Sequence, residues 1–277
     1  MREALSPVRF ASAEELHRNQ LAMLRAHVAD VAKRSPFYGP LLKERALDAN
    51  DLRTLEDIRS FPFTTHTDIA TCNPQFVCVP PKAVIDRVST SGSTGAPVPF
   101  VLSEGDLQRL AANEANSLAS VGITADDIAQ ITTTLDSRFM AGIAYYSGLR
   151  ALGAGIVRMG PGKVAEQWHT MRQSGTTGLI AVPSFVLRLL DHAERHGIDP
   201  ADTAVRRIIC IGEPTATRIG EPNLLAQRIC SRWNVALHST YASTEMATAS
   251  TEMRPATGHA VQPQLLFVEV LDEWDRP

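Results

Sequence analysis

The sequence predicts an α/β fold: a mainly parallel β-sheet flanked by helices and preceded by an N-terminal helical collar. Two observations support this prediction. From about residue 84, short apolar segments alternate with helical patterns. Strands separated by helices of this length form βαβ units. Residues 1–80 instead contain one long helical pattern followed by segments rich in proline and aromatic residues. We therefore expect a collar at 1–80, packed on an α/β domain at 81–277.

The first helix of the collar is predicted from its cap and its periodicity. Ser12 and Glu15 have the spacing of a capping box, and apolar residues recur at helical spacing from Leu21 to Val31. We expect the helix to end at Ser35, because a residue that precedes proline disfavours the helical conformation. Its apolar face serves either an intramolecular contact or a homodimer, and the sequence leaves both open.

The α/β part is predicted to begin with a hairpin and to continue as alternating helices and strands. The predicted strands share short apolar runs and cover 84–88, 98–102, 128–133, 155–159, 178–182, 206–211, 235–238 and a closing strand at 267–272. The predicted helices share apolar residues at helical spacing and cover 103–120, 138–152, 164–173, 185–196 and 223–233. Ser103 with Asp106, and Ser184, are the predicted caps of two of these helices.

Composition excludes several classes of function. The chain has 277 residues, 44% of them apolar, so it can bury a large core. Its net charge is -3, so it lacks the basic surface that binding to nucleic acid requires. It contains neither a run of about 20 apolar residues nor a signal-peptide core. We therefore expect no membrane partner and a cytoplasmic location. Scattered cysteines and histidines argue against a disulfide framework or a zinc site.

A run of small polar residues joins the first two predicted strands: Ser91-Gly92-Ser93-Thr94-Gly95. Glycine lets the backbone approach a polyanion, and the hydroxyl groups add hydrogen-bond donors, as a phosphate-binding loop requires. A solvated turn has the same composition. The run lacks the Gly-Lys-Ser/Thr sequence of a Walker loop. Taken alone, it leaves both interpretations open.

Other polar segments directly follow predicted strands. Ligands of a parallel sheet bind beyond the carboxyl ends of its strands. Glu213 is interpreted either as a carboxylate at that edge or as an ordinary capping acid. Glu245 is interpreted either as a Mg²⁺ ligand or as an acid at a helix start. The segments concerned are Val182-Pro183-Ser184, Gly212-Glu213-Pro214 and Tyr241-Ala242-Ser243-Thr244-Glu245.

Taken in chain order, the Ser/Gly run, Gly212-Glu213-Pro214 and the segment from Tyr241 to Glu245 resemble the signatures of the acyl-adenylate-forming (AMP-binding) superfamily. Among its members the chain most resembles phenylacetate–CoA ligases. The resemblance spans about residues 30 to 277 and implies the large N-terminal part of an adenylate-forming enzyme. It implies ATP-dependent activation of a carboxylic acid, with an aryl or arylacetic acid favoured, as an acyl-adenylate. CoA would then accept the acyl group.

The resemblance also implies roles for individual residues. The loop residues Ser91, Gly92, Ser93, Thr94 and Gly95 would hold the β- and γ-phosphates of ATP. Thr244 would contact the α-phosphate and Glu245 would hold Mg²⁺, which makes these two the implied catalytic residues. The implied adenine pocket contains Gly212, Glu213, Pro214 and Tyr241. The implied walls of the acid pocket are Phe139, Met140, Gly142, Tyr145, Pro183 and Ser184.

The sequence departs from the family pattern in several places. Ala96 stands where the family loop usually has a lysine, so ATP affinity should be reduced unless Lys82 or Arg87 compensates. Met253 and Thr257 occupy a segment where some relatives have cysteines, and we expect no structural zinc. The sequence stops before the family's ribose-binding aspartate and C-terminal lobe, which indicates either a fragment or a natural remnant with impaired adenylation.

Three alternatives remain open from the sequence. The acceptor is either CoA or a carrier protein in natural-product assembly, because acceptor contacts come mostly from the C-terminal lobe of the family. A non-catalytic module that binds a nucleotide or an acyl-adenylate is also consistent with Ala96. A third alternative is an unrelated doubly wound protein that binds another anion through its Ser/Gly loop.

Overall fold

The computed structural model describes residues 12–92, 95–218, 220–253 and 258–274. These residues form two compact units. The collar unit contains the described residues of 12–106 together with 263–274, and the sheet unit contains those of 107–262. The predicted boundary at residue 80 therefore falls inside the collar unit.

The collar unit is built around a long first helix. Ser12 caps this helix by accepting a hydrogen bond from the Glu15 amide at 3.2 Å, and the helix ends before Ser35, as predicted. The helices of this unit are α1 (Ala13–Arg34), α2 (Tyr38–Glu44) and α3 (His66–Thr71). Their core contains four buried side chains: Val28, Leu42, Leu52 and Phe61.

The predicted hairpin is confirmed. Strand β1 (Val84–Ser89) pairs antiparallel with β2 (Pro99–Ser103). Helix α4 (Glu104–Ser120) follows directly. The Asp106 carboxylate accepts hydrogen bonds from the Ser103 amide at 2.8 Å and the Ser103 hydroxyl at 2.7 Å, as the predicted cap requires.

The closing strand predicted at 267–272 is wrong. These residues, all of them described, form no strand and run along the collar unit instead. The Arg59 guanidinium lies 3.3 Å from the Glu269 carboxylate, and the Gln20 side chain donates to the Pro263 carbonyl at 3.2 Å. The alternation of apolar side chains suggested a strand, but a strand also needs a neighbour that completes its backbone hydrogen bonds.

A seven-stranded sheet organises the sheet unit, in the order β4-β3-β5-β6-β7-β8-β9. The first five strands of this order are parallel, and the last two add antiparallel hairpins. The strands are β3 (Ile128–Ile131), β4 (Gly155–Arg158), β5 (Gly178–Ala181), β6 (Arg207–Cys210), β7 (Ala236–Ser243), β8 (Thr248–Glu252) and β9 (His259–Ala260). The mainly parallel α/β fold is thereby confirmed.

Helices connect the parallel strands: α5 (Met140–Leu152), α6 (Val164–Ser174), α7 (Pro183–Arg195) and α8 (Leu224–Cys230). Ser184 does not cap α7, contrary to the prediction. The helix begins two residues earlier than predicted, because Pro183 occupies its first position, where the missing amide proton is not needed.

Both faces of the parallel sheet are buried. Along β5, Leu179 and Ala181 pack with α6, α7 and α8, whereas Ile180 packs with α4 and α5. Along β6, Ile208 and Ile209 divide in the same way. This follows from the two-residue period of a strand, and it explains why the parallel strands read as continuous apolar runs.

The order of the strands creates a change of winding direction. From β3 the chain crosses to β4 on one side, and then returns past β3 to add β5, β6 and β7 on the other side. In doubly wound sheets, ligands bind beyond the carboxyl ends of the strands at such a reversal. The fold therefore predicts a ligand site beside the ends of β3 and β5.

Helices α4 and α5 approach each other so closely that only glycine fits at one position. A Cβ atom added to Gly148 would lie 2.3 Å from the Glu114 Cβ and 2.9 Å from the Glu114 carbonyl carbon. The backbones of the two helices would have to separate to make room for it. Gly148 therefore sets the distance between α4 and α5.

We expect Gly148→Ala to lower the free energy of unfolding by about 2 kcal/mol or more, as overpacking of a core does. Gly105→Ala is the matched control, because an added Cβ at this helical glycine would meet only the Ser103 Oγ at 3.7 Å. The control should leave stability unchanged or raise it slightly. Urea unfolding of both variants tests this, and equal midpoints would contradict it.

Candidate active site

The ends of β3, β5, β6 and β7 meet at one side of the sheet unit, which we call the carboxyl edge. Ile131 pairs with Ile180, and Cys210 pairs with Ser239, so the segments that follow these residues lie side by side. The carboxyl edge therefore gathers residues 132–138, 182–184, 211–214 and 240–247. Eight of the seventeen predicted site residues belong to these segments: Pro183, Ser184, Gly212, Glu213, Pro214, Tyr241, Thr244 and Glu245.

Glu213 joins the ends of two strands. Its carboxylate accepts hydrogen bonds from the Ser184 amide and the Ser184 hydroxyl, both at 2.8 Å. The charge lies at the N-terminus of α7, where the helix dipole favours an anion. Glu213 thus holds the end of β5 against the end of β6. Its predicted place near adenine stays a prediction.

Gly212 presents bare backbone at the carboxyl edge. Its φ of +75° is in the left-handed region that glycine adopts without strain. A Cβ atom added there would have its nearest neighbour at 4.0 Å, the Val182 side chain. The backbone conformation therefore demands glycine, and the space above it is open.

The segment from Tyr241 to Glu245 is not the continuous turn that was predicted. Tyr241 lies in β7, paired with Ser250 of β8, and its side chain is 64% exposed. The turn itself comprises residues 244–247, where Ala247 has a φ of +47°. The prediction ended β7 too early because β8 supplies a partner for its outer half.

Glu245 is exposed on this turn, and Thr244 beside it is half-buried. None of the ion pairs found among the described residues involves Glu245. Within the same ranges, no three His, Cys, Asp or Glu side chains form a group that could hold a metal. Because Mg²⁺ commonly binds one carboxylate together with substrate phosphates, Glu245 fits a metal that the nucleotide shares.

The Ser/Gly loop belongs to the collar unit. The Thr90 amide donates to the Val98 carbonyl at 3.0 Å, which extends the hairpin into the loop. Gly92 has a φ of +70°, and an added Cβ would lie 2.8 Å from the Pro97 ring, so this position requires glycine. Gly95 has open space around it. Ser93 and Thr94 lie outside the described residues.

The predicted walls of the acid pocket lie at the start of α5 and of α7. Phe139 precedes α5 and is half-buried, whereas Met140 and Tyr145 are buried. A Cβ added to Gly142 would lie 2.1 Å from the Thr134 carbonyl oxygen. Glycine at this position therefore lets the backbone of α5 contact the segment that follows β3. The role of these residues toward an acid stays a prediction.

Sequence reasoning missed two strained residues between β3 and α5. Ser137 and Arg138 have φ values of +56° and +60°, a conformation that side chains other than glycine rarely adopt. The Asp136 carboxylate accepts a hydrogen bond from the Ser137 hydroxyl at 2.9 Å. Such strain is concentrated at functional sites. Nothing in the sequence signals it, because neither residue type favours this conformation.

Glu114 on α4 was also missed. It is buried against α5, and one carboxyl oxygen accepts a hydrogen bond from the Asn113 side chain at 3.2 Å. Burial raises the pKa of this carboxyl to about 7, which the Asn113 hydrogen bond only partly opposes. One signal was available in the sequence. Glu114 stands four residues from both Leu110 and Leu118, on the apolar face of the helix.

Comparison with known proteins bears on what the carboxyl edge binds. A family model described as AMP-binding enzyme matches residues 20–273. The chain belongs to this family. The resemblance inferred from three motifs in order is thereby confirmed.

The curated relatives that match the chain are phenylacetate-coenzyme A ligases. The chain is 29% identical to the enzyme of Pseudomonas putida over 214 residues, which cover 77% of this chain and 48% of that protein. It is 28% identical to the enzyme of Thermus thermophilus over 202 residues, 73% of this chain and 45% of that protein. The chain spans about half the length of these relatives.

Solved structures agree on the fold. A 2-hydroxyisobutyryl-CoA ligase, determined with 2-HIB-AMP and CoA in the thioesterification state, matches with a TM-score of 0.85 at 22% identity. The match covers 99% of this chain and 58% of that chain. Among the described helices of the chain, none has the length and apolar composition that crossing a bilayer requires.

We expect Glu114→Gln to change how stability depends on pH. The pKa of the carboxyl is about 7 in the folded protein against an ordinary 4.5. Between these values the folded state keeps a proton that the unfolded state releases. The free energy of unfolding should therefore fall by roughly 3 kcal/mol as pH rises through this range, relative to the Gln variant.

Urea unfolding from about pH 5 to about pH 8 measures this difference. Glu166→Gln is the control, because Glu166 is exposed in its ion pair with Lys163. The control should follow the wild-type curve. A difference between wild type and Glu114→Gln that does not vary with pH would contradict the expectation.

Proposed function

We propose that this protein activates a carboxylic acid with ATP, forming an acyl-adenylate and pyrophosphate, and that the thiol of CoA then displaces AMP. One observation carries the proposal. In a chain of the AMP-binding family, Gly212 and Glu213 follow β6, and the Thr244–Glu245 turn follows the neighbouring strand β7 on the same side of the sheet. The relatives' names support an aryl or arylacetic acid as the substrate.

Adenylation requires positioning and charge stabilisation more than covalent chemistry by the protein. We assign Glu245 to hold Mg²⁺ and the Thr244 hydroxyl to donate a hydrogen bond to the α-phosphate. When bound, Mg²⁺ would offset the negative charge of the phosphates. The exposed ring of Tyr241 and the open backbone at Gly212 offer apolar surface and hydrogen-bonding groups to adenine. Pro214, which follows Glu213 at the carboxyl edge, is proposed to belong to the same adenine pocket.

The Ser/Gly loop of the collar unit keeps its proposed role toward the β- and γ-phosphates of the nucleotide. Its backbone at Gly92 is held in a conformation that turns amides inward in phosphate-binding loops. Ala96 removes the usual cation, and the exposed side chains of Lys82 and Arg87 are the candidates to replace it. We therefore propose weaker ATP binding than in relatives that have the lysine.

The carboxylic acid is proposed to bind between the start of α5 and the start of α7. Its walls would be Phe139, Met140, Gly142, Tyr145, Pro183 and Ser184. CoA is the proposed acceptor, and a carrier protein is the alternative acceptor. Ala96 favours one second candidate, a module that binds a nucleotide without catalysis.

Acid-dependent exchange of pyrophosphate into ATP, with a panel of aryl and alkyl acids, tests the proposal. We expect Glu245→Ala to lower exchange by about a hundredfold or more, the usual cost of losing a group that stabilises transition-state charge. Glu166→Ala removes an exposed acid of α6 and should leave exchange unchanged.

Two outcomes would contradict this account in different ways. Full exchange in Glu245→Ala would show that this carboxylate holds no metal. Saturable ATP binding without exchange for any acid would instead support the non-catalytic module.

A further inference from the structure

Four buried polar atoms of the sheet unit have no hydrogen-bond partner among the described residues. All lie on α4 or directly after β3, on the α4–α5 face of the sheet. They are Asn113 Oδ1, Glu114 Oε2, Ser117 Oγ and Thr133 Oγ1. Native proteins satisfy the great majority of buried polar atoms, so a group of exceptions points to a bound molecule that supplies the partners.

Asn113 and Glu114 are bonded to each other, and Glu114 lies near Tyr145. The Asn113 side chain donates to the Glu114 carboxylate at 3.2 Å and to the Ala249 carbonyl of β8 at 3.1 Å. The pKa of the Tyr145 hydroxyl is raised well above its ordinary value, first by burial and then by the charge of Glu114. A hydrogen bond between the Thr240 side chain and the same hydroxyl lowers that pKa. We call Asn113, Glu114, Tyr145 and Thr240 the polar cluster.

One close helix contact and one hydrogen bond hold α4, which carries Asn113 and Glu114, against its neighbours. Where α4 and α5 approach each other at Gly148, Glu114 lies directly against α5. The Asn113 hydrogen bond to β8 fixes the other side of α4. These two contacts restrict the positions that Asn113 and Glu114 can take.

The polar cluster lies next to the candidate active site. Thr240 directly follows Ser239, whose partner Cys210 is the last residue of β6, so Thr240 lies where β7 enters the carboxyl edge. Tyr145 already stands among the proposed walls of the acid pocket. The polar cluster therefore extends from the carboxyl edge toward the interior, on the face covered by α4 and α5.

The chemistry of the atoms without partners specifies what they bind. Asn113 Oδ1 can only accept hydrogen bonds, and Glu114 Oε2 accepts them whenever the carboxyl is ionised. They require a donor. An unsubstituted benzoate or phenylacetate has no donor at the end remote from its carboxylate, whereas an amino or hydroxyl substituent supplies one.

We propose that the polar cluster is a specificity subsite of the acid pocket, in which Glu114 accepts a hydrogen bond from an amino or hydroxyl group on the acyl part of the substrate. The substrate class is thus an aryl acid with a hydrogen-bond donor on its ring. This rests on the function proposed above and deepens it. A site built around a hydrogen-bonding substituent rejects the analogue that lacks it, because its own polar groups are then left unpaired.

Acyl-sulfamoyl adenosines test the subsite directly, because they are stable analogues of an acyl-adenylate. Benzoyl, aminobenzoyl and hydroxybenzoyl analogues are titrated into the full chain by calorimetry, as wild type, Glu114→Leu and Glu114→Gln. We expect wild type to bind at least one substituted analogue roughly tenfold or more tightly than the benzoyl analogue. Glu114→Leu should abolish that preference while binding the benzoyl analogue as well as wild type does or better.

Two further variants separate this role from a structural one. Glu114→Gln keeps an acceptor oxygen and should retain part of the preference, and Glu166→Gln should retain all of it. Equal binding of all analogues by wild type, or a preference that survives in Glu114→Leu, would overturn the subsite and leave the proposed function standing. Binding of none of the analogues by wild type would overturn the proposed function together with the subsite.

Discussion

The sheet unit depends on one constraint: five parallel strands that must be buried on both faces. The chain meets it by placing α4 and α5 on one face and α6, α7 and α8 on the other. Covering both faces in this way requires the reversal between β3 and β5. The same reversal leaves the carboxyl edge uncovered by either layer of helices, so the arrangement that stabilises the fold also provides the place for a ligand.

On the α4–α5 face, the chain buries polar groups at a cost in stability, and we attribute this cost to function. Gly148 allows two helix backbones to touch, which ordinarily marks an apolar core, yet this contact encloses a carboxyl group and several polar atoms without partners. An apolar residue at Glu114 would avoid the cost of burying a carboxyl group. Local rules broken without a structural gain are expected at functional sites.

The sequence was a good guide wherever local physics decides the structure. Short, continuous apolar runs predicted β3, β5 and β6. The capping residues Ser12 and Ser103 predicted where α1 and α4 begin. It failed where a distant segment decides: β8 extends β7 through Tyr241, and residues 267–272 pair with no strand of the described part of the chain. The left-handed conformations of Ser137 and Arg138 depend on tertiary packing, which no local pattern encodes. The burial of Glu114 had a local signal, its place on the apolar face of α4, but the sequence interpretation did not use it.

Amide hydrogen exchange, measured with and without a stable acyl-adenylate analogue, tests most directly whether the carboxyl edge is the binding site. The account predicts slower exchange in residues 132–138, 182–184, 211–214 and 240–247. It predicts no change at the opposite edge of the sheet, where Asp127 binds Thr177 and Arg206. Protection confined to that opposite edge, or to the collar helices, would contradict the account.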